Sequence, residues 1–490
     1  MSLYGTDLLA LLPELIVVVT ACLVIVLDPI TPASRRDLLA WLSVGALALC
    51  LGITGGQISV LNDRMSAFSD LVVIDPYARF WKIVLYGVTG LTIVLSLPYL
   101  KAERTHLGEF YGFVLLALSG MMVMVSGADL LTIYLGTELM SLSLYVMTGL
   151  NRAKPRSLEA AAKYFVLGAF SSGILLYGIS MLYGVAGSTK LISIAGAIGT
   201  RGVDDPLVLI ATILLAVGFG FKLAAVPFHM WTPDFYEGSP TPITAFISVA
   251  SKAAGFAVFI RFFLTVFGPL QEQWVGFVAI LAAVTMVLGN LVALQQRNFK
   301  RMLAYSSIAQ AGYLLIGVAA VGELGTAAVL FYLTVYVLTN ITAFAVAEIA
   351  TNATGSELIK DMAGLSRRAP GIAFALLAAM LSLAGVPPLA GFFGKFYIFQ
   401  AAVGYTNPAG QHSLVWLALL GVLTSIIALY YYLVVLKVAY VDRAEGEDVP
   451  LKTSGGFKTA LTITVAGMIF FGIFATPLYT LSTMAAQAMR

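Results

Sequence analysis

Long apolar runs of about 20 residues recur along this sequence, the length a helix needs to cross a hydrocarbon layer roughly 30 Å thick. Only helices and closed barrels satisfy every backbone group without water. A barrel would show alternating segments of about ten residues, and the runs here are continuous. The expected fold class is therefore all-α, a polytopic transmembrane bundle. Composition agrees: 60% of the 490 residues are hydrophobic and 11% are charged, against about 25% charged in soluble domains. A chain so poor in charge cannot clothe a water-facing surface, and lipid is its expected solvent.

Candidate crossings are 8–27, 38–55, 77–99, 110–125, 130–150, 158–183, 206–226, 242–264, 273–294, 302–321, 325–350, 372–400, 414–440 and 457–481, about fourteen in all. The first follows Asp7 rather than a basic stretch and lacks a small-residue cleavage site, so it reads as a retained helix. Cys22 and Cys50 lie inside apolar runs, with no spacing suited to a metal or a disulfide framework. The net charge of +3 is scattered among loops and gives no nucleic-acid signal. The acidic stretch 442–448 reads as a solvated loop.

Sidedness follows from lysine and arginine. Odd-numbered loops carry Arg35 and Arg36; Lys101 and Arg104; Arg152, Lys154 and Arg156; Arg297, Lys300 and Arg301; Lys360, Arg367 and Arg368; and Arg443, Lys452 and Lys458. The seventh loop carries none, and the even-numbered loops hold only Arg64, Lys190 and Arg201. Both termini are therefore expected on the non-cytoplasmic side, and an even number of crossings fits.

A few ionisable residues cannot be assigned to loops. Glu138 and Lys252 fall near the centres of their runs, Lys222 lies just before Pro227, and Lys395 follows Pro387-Pro388. Lys163 lies about two turns into its run and could also snorkel to the interface. Snorkelling is the expected behaviour of Arg261 and Lys437, near run ends, while Glu14 and Glu348 could satisfy a helix end or a neighbouring subunit. A charge at a helix centre costs about 2.5–3.5 kcal/mol on insertion scales, so such residues are functional candidates.

Proline removes a backbone donor and clashes with the preceding turn, so Pro227 and Pro387-Pro388 should interrupt their helices. Freed backbone groups at membrane depth are tolerated where they line protein or water. Two broken helices in corresponding places point to an internal repeat with the conduction site at the breaks. On that basis the chain divides into 1–105 (three N-terminal helices), 106–266 and 267–441 (two five-helix inverted repeats) and 442–490 (a loop and the last helix). Burial disfavours the charged form of a lysine and a nearby carboxylate favours it, so Glu138 and Lys222 can switch between a charged pair and a separated state. The proton would move on to Lys252 and Lys395, with His229, Tyr305, Ser306 and Ser307 as relays. His229 reads equally as an uptake-path residue or a helix-end histidine.

The stretch from Phe221-Lys222 through Pro227-Phe228-His229-Met230-Trp231-Thr232-Pro233-Asp234 to Tyr236-Glu237-Gly238-Ser239-Pro240-Thr241-Pro242 resembles a signature of the antiporter-like subunits of respiratory complex I. Tyr305-Ser306-Ser307-Ile308-Ala309-Gln310-Ala311-Gly312-Tyr313 and Leu383-Ala384-Gly385-Val386-Pro387-Pro388 are similar to its other two. The resemblance runs from about the third crossing onward and is greatest to the N-type subunits of bacterial NADH–quinone oxidoreductase. There is no long C-terminal lateral helix as in the L type, and Lys395 stands where the M type has a carboxylate. Gln310 departs from the histidine common in relatives. The resemblance implies an inverted five-helix repeat and a proton path through Glu138, Lys222, Lys252 and Lys395. It also implies no cofactor in this chain, with flavin, iron–sulfur clusters and quinone in partner subunits. The implied partners are L-, M- and K-type membrane-arm subunits in the bacterial inner membrane. Competing readings are a subunit of a multi-subunit sodium/proton antiporter, a hydrogenase-type membrane subunit, and an assembly subunit whose buried charges only fix packing.

Overall fold

The computed structural model describes residues 3–489 except 33–34, 61–63, 104–106, 203, 445–450 and 452. Arg104, Lys452 and most of the 442–448 stretch lie outside the described residues. The chain opens with α1 (Leu3–Ala10), α2 (Leu12–Leu27) and α3 (Asp37–Val60). An antiparallel pair, β1 (Met65–Ala67) and β2 (Val72–Ile74), sets Met65 opposite Ile74. After α4 (Pro76–Glu103) and α5 (Leu107–Ser126) come α6 (Leu130–Thr148), α7 (Pro155–Ala186) and α8 (Leu191–Arg201). Next are α9 (Pro206–Leu223), α10 (Trp231–Gly238), α11 (Thr241–Phe246) and α12 (Lys252–Val266), a π turn at Ile247–Ser251 joining the last two. The series continues with α13 (Gln271–Ala293), α14 (Phe299–Ala319), α15 (Glu323–Thr354) and α16 (Leu365–Arg368). It closes with α17 (Pro370–Ala384), α18 (Ala390–Gly404), α19 (Val415–Tyr440), α20 (Gly455–Ile473) and α21 (Ala475–Gln487).

Among the described residues, twelve helices are long and apolar enough to cross a membrane, while α2, α8 and α17 are shorter apolar helices. Two expected crossings are built from pieces: 8–27 from α1 and α2, and 372–400 from α17 and α18. The stretch from α11 to α12 is wholly buried and α14 and α15 nearly so, which puts these elements at the centre of the bundle. With no hydrophobic driving force between helices in lipid, close backbone approach has to supply the packing. Gly120 and Gly136 let α5 and α6 touch, since a Cβ on either would lie within 3 Å of the other helix's backbone. Gly289 and Gly312 do the same for α13 and α14.

The breaks fall where proline predicts, a little earlier than the prolines themselves. α9 ends with Ala224 in the left-handed region, φ 58°, and α17 ends with Gly385, φ 85°. Trp231 Nε1 donates over 3.1 Å to the Phe221 carbonyl, which also accepts from Ala224 N at 3.1 Å, so a side chain from beyond the break helps to hold the end of α9. One further device recurs. Asp129 caps α6, accepting from Leu131 N, and bridges to Lys190, just after α7 ends at the left-handed Gly187. Asn298 caps α14, accepting from Arg301 N, and bridges to Leu358, just after α15 ends at the left-handed Gly355.

Candidate functional site

Lys222 forms the last turn of α9, immediately before the break, and its side chain is buried. Nζ donates to Ser141 Oγ over 2.7 Å, and that hydroxyl in turn donates to the Thr137 carbonyl on α6. Glu138, one turn from Ser141 on α6, accepts from Ser172 of α7. The carboxylate and the ammonium therefore rest on separate serines, each side chain held by its own.

The end of α9 lies against Gly255 of α12, where Lys222 Cβ is 3.9 Å from the place a Cβ would take. Three residues earlier on α12 is Lys252, directly after the π turn. Such turns widen a helix locally and re-aim the residues that follow. Lys252 Nζ donates to both the carbonyl and the hydroxyl of Ser307 on α14, each over 2.6 Å. Tyr336 donates to the same hydroxyl over 2.9 Å. A hydroxyl offers two lone pairs and one proton, so Ser307 must spend its own proton on Tyr236 Oη, 3.0 Å away. Ser307 is thus a node at which Lys252 and two tyrosines meet.

From the neighbouring residue the chain of hydroxyls continues. Ser306 Oγ lies 2.5 Å from Tyr432 Oη, and Gln310 Nε2 reaches that oxygen at 3.5 Å. Tyr332 donates to Gln310 Oε1. Beside Tyr432, Tyr431 donates to Asn290 Oδ1 over 3.0 Å, and Asn290 Nδ2 donates to Tyr313 Oη over 3.1 Å. The Tyr313 ring faces Lys395 Nζ, 4.7 Å from its centroid. Lys395, on α18, donates to the Ala384 carbonyl at the end of α17 over 3.1 Å and to Ser425 Oγ over 3.2 Å. An ammonium there complements the negative end of the α17 dipole. Each lysine has a hydroxyl partner. Between Lys252 and Lys395 most of the intervening groups are hydroxyls, while Lys222 meets α12 by packing on Gly255.

Not every expected residue joins this row. Lys163 is half exposed and pairs with Glu159 at 2.8 Å and Asp234 at 2.9 Å. Arg301 completes that outer cluster through Asp234 and Glu237, both at 2.9 Å. Tyr305 packs against the hydrophobic core, and His229 sits half-buried in the α9–α10 connection. Arg261 corrects the snorkelling expectation: it is buried, and both terminal nitrogens bind the buried Asp75 at 2.8 and 2.9 Å. Sequence reasoning could not see a partner 186 positions away. Lys437 does lie exposed, 3.4 Å from Asp442. Missed altogether were the tyrosines of α15 and α19, Asn290 and Lys82, the buried partner of Glu14; the spacing of those tyrosines was the available signal.

A cavity of ≈ 880 Å³ opens at the end of the bundle that carries α10. Its wall includes Lys154, Glu237, Lys300, Glu348 and Glu357, and Ser239-Pro240-Thr241 at the start of α11. Lys300 is buried there, 3.0 Å from Glu357 and from the Ser239 carbonyl. Among the described residues no group of three or more His, Cys, Asp or Glu is placed to hold a metal.

The family described as "NADH:quinone oxidoreductase/Mrp antiporter, TM" matches residues 127–428. NADH-quinone oxidoreductase subunit N of Trichlorobacter lovleyi is 42% identical over 486 residues, 98% of this chain and 97% of the relative. Subunit N 2 of Rhizobium meliloti is 44% identical over 467 residues, 95% of each. A chain of respiratory complex I from Thermus thermophilus, solved with bound Aureothin, superposes with a TM-score of 0.79 at 31% identity, covering 96% of this chain and 99% of that one. A chain of the Mrp complex from Dietzia sp. DQ12-45-1b shares the fold, with a TM-score of 0.85 at 22% identity over 98% of this chain and 97% of that one.

Proposed function

This chain belongs to the NADH:quinone oxidoreductase/Mrp antiporter family, among the N subunits of NADH-quinone oxidoreductase, and from that premise we propose that protons cross it through Glu138, Lys222, Lys252 and Lys395. It is a proton-translocating, antiporter-like subunit in the membrane arm of a translocase complex, respiratory complex I. The observation that carries the proposal is the row itself: three buried lysines and a glutamate, each on a hydroxyl, beside two broken helices and a π turn.

In this reading Glu138 and Lys222 form the switch. When the carboxylate swings toward the ammonium the charged lysine is favoured; when each returns to its serine the proton is freer to leave. Lys252 relays through Ser307, and Lys395 loads protons for release. The cavity above α11 is the uptake vestibule in this reading; the basic loops around it support a cytoplasmic location, with both termini opposite, in a bacterial inner membrane. Lys163, with Asp234 and Arg301, shapes the charge at that mouth instead of carrying protons inside.

Fourteen crossings fit if α2 and the α17–α18 pair are added to the twelve long helices. The recurring cap, bridge and left-handed stop support two inverted units, 106–266 and 267–441, flanked by 1–105 and 442–490. The redox cofactors of the family's complex reside in other subunits; flavin, iron–sulfur clusters and quinone are assigned there, and L-, M- and K-type subunits are the expected neighbours.

The proposal is tested with a tagged complex carrying Lys252→Met. The L-, M- and K-type subunits should still co-purify with it, while NADH-driven proton uptake into inverted vesicles should be lost. Wild-type pumping by an assembled Lys252→Met complex would remove Lys252 from the path.

A further inference from the structure

α4 carries Asp75 at its start and Arg79, Lys82, Tyr86 and Thr89 at intervals of three and four, so that these residues share one helix face. That face is buried along its length, and two ion pairs sit on it that differ in kind. Asp75 and Arg261 form a forked pair with two hydrogen bonds, and Asp75 also accepts from Ala78 N over 2.7 Å. A guanidinium cannot give up its proton inside a protein, so this pair is a fixed clamp between α4 and α12.

The second pair, Lys82 with Glu14 of α2, is built differently. Nζ and Oε1 are 2.6 Å apart, and the side chains are 0% and 6% exposed. Beyond that contact, neither Glu14 oxygen nor the Lys82 ammonium has a hydrogen-bond partner among the described residues. Nearby are the Thr54–Tyr86 hydroxyl pair, 3.3 Å apart, and Cys50, whose Sγ reaches the Pro13 carbonyl at 3.5 Å. A buried ion pair is well supported only when its remaining protons and lone pairs are satisfied, which holds for Asp75–Arg261 and not here. Transfer of one proton across the 2.6 Å contact breaks an N–H bond on Lys82 and forms an O–H bond on Glu14. The products, an amine and a carboxylic acid, are neutral and need less solvation.

We propose that Glu14 and Lys82 form a further proton-exchanging site, which extends the proton-carrying machinery into the three N-terminal helices. The inference rests on the reading of this chain as proton-translocating. During turnover the pair takes up a proton as Lys82–NH3⁺ with Glu14–COOH and returns it to regain the ion pair. The site stands beside the fixed Asp75–Arg261 clamp, about 10 Å along α4 from Asp75. Arg261 itself lies on the helix that carries Lys252.

Two measurements on the assembled complex decide it. In inverted vesicles, Lys82→Arg keeps the charge but cannot release a proton, and the double variant Glu14→Leu with Lys82→Met keeps the packing without the charges. Both should show a lowered proton-to-NADH ratio, with Lys222→Ala measured alongside. Wild-type ratios in both, with Lys222→Ala defective, would make the pair a packing clamp and overturn the inference alone. A wild-type ratio in Lys222→Ala as well would instead count against the parent reading. In the unmodified complex, dicyclohexylcarbodiimide, which attacks protonated carboxyls in apolar surroundings, should label Glu14 during turnover. An unlabelled Glu14 by mass spectrometry would overturn the inference whether or not the variants assemble.

Discussion

Ser307 shows how much rests on one hydroxyl. It accepts from Lys252 and Tyr336 and gives its proton to Tyr236, so removing it leaves a buried ammonium short of a partner and separates two tyrosines. Losing a hydrogen bond to a buried charged group costs about 1–3 kcal/mol. Ser307→Ala should therefore slow NADH-driven pumping by about tenfold, the equivalent of ~1.4 kcal/mol, while Ser307→Thr should retain most of it; pumping rates in vesicles check both. At this scale the sequence was legible where a charge stood far from any interface, as for Glu138, Lys222, Lys252 and Lys395. It was ambiguous where a charge stood near a run's end. Lys163 turned outward to Glu159 and Asp234, whereas Arg261 turned inward to Asp75. Position along a run does not fix direction around a helix, and distant partners decide it. Lys82 escaped notice for the same reason, since a lysine close to a run's start reads as interfacial.

Among the elements, proline announced the breaks but not their ends. The helices stop at Leu223 and Ala384, before left-handed residues, and the prolines lie in the turns that follow. The π turn before Lys252 left no mark in the sequence, because Ile247–Ser251 has the same composition as its helical neighbours. What holds the N-terminal helices to the centre is more exposed to test. Asp75–Arg261 ties α4 to α12, and Tyr77 adds a bond to the Ala257 carbonyl over 2.9 Å. Removing one partner of a buried pair costs about 3–5 kcal/mol, because the other charge is stranded, whereas replacing both with apolar groups is often close to neutral. Arg261→Ala should deplete the chain from the complex on native gels, and Arg261→Met with Asp75→Leu should restore it. Equal depletion in both would show that the clamp acts through something other than charge.

Over the whole molecule, the membrane class and the family were readable from run length, composition and three signature stretches. The repeat was inferred from breaks and lysines together, and only the breaks correspond. Lys222 lies two residues before the left-handed Ala224, and the residue two before Gly385 is Leu383. Lys395 lies beyond its break, where it answers the carbonyl end of α17. The two broken helices thus present their lysines from opposite sides of the break, a matter of side-chain placement that spacing alone does not convey. The tyrosine, serine and asparagine links between Lys252 and Lys395 were equally hidden, since such residues are common in membrane helices and only packing shows which of them meet. The central claim is that protons move through this chain by way of buried charges, beginning with Glu138 and Lys222. Its most direct test is NADH-driven acidification of inverted vesicles containing assembled Lys222→Ala or Glu138→Ala complexes, measured against NADH oxidation in the same vesicles. The account predicts severe loss of coupled pumping in both, and near-normal pumping in both would contradict it.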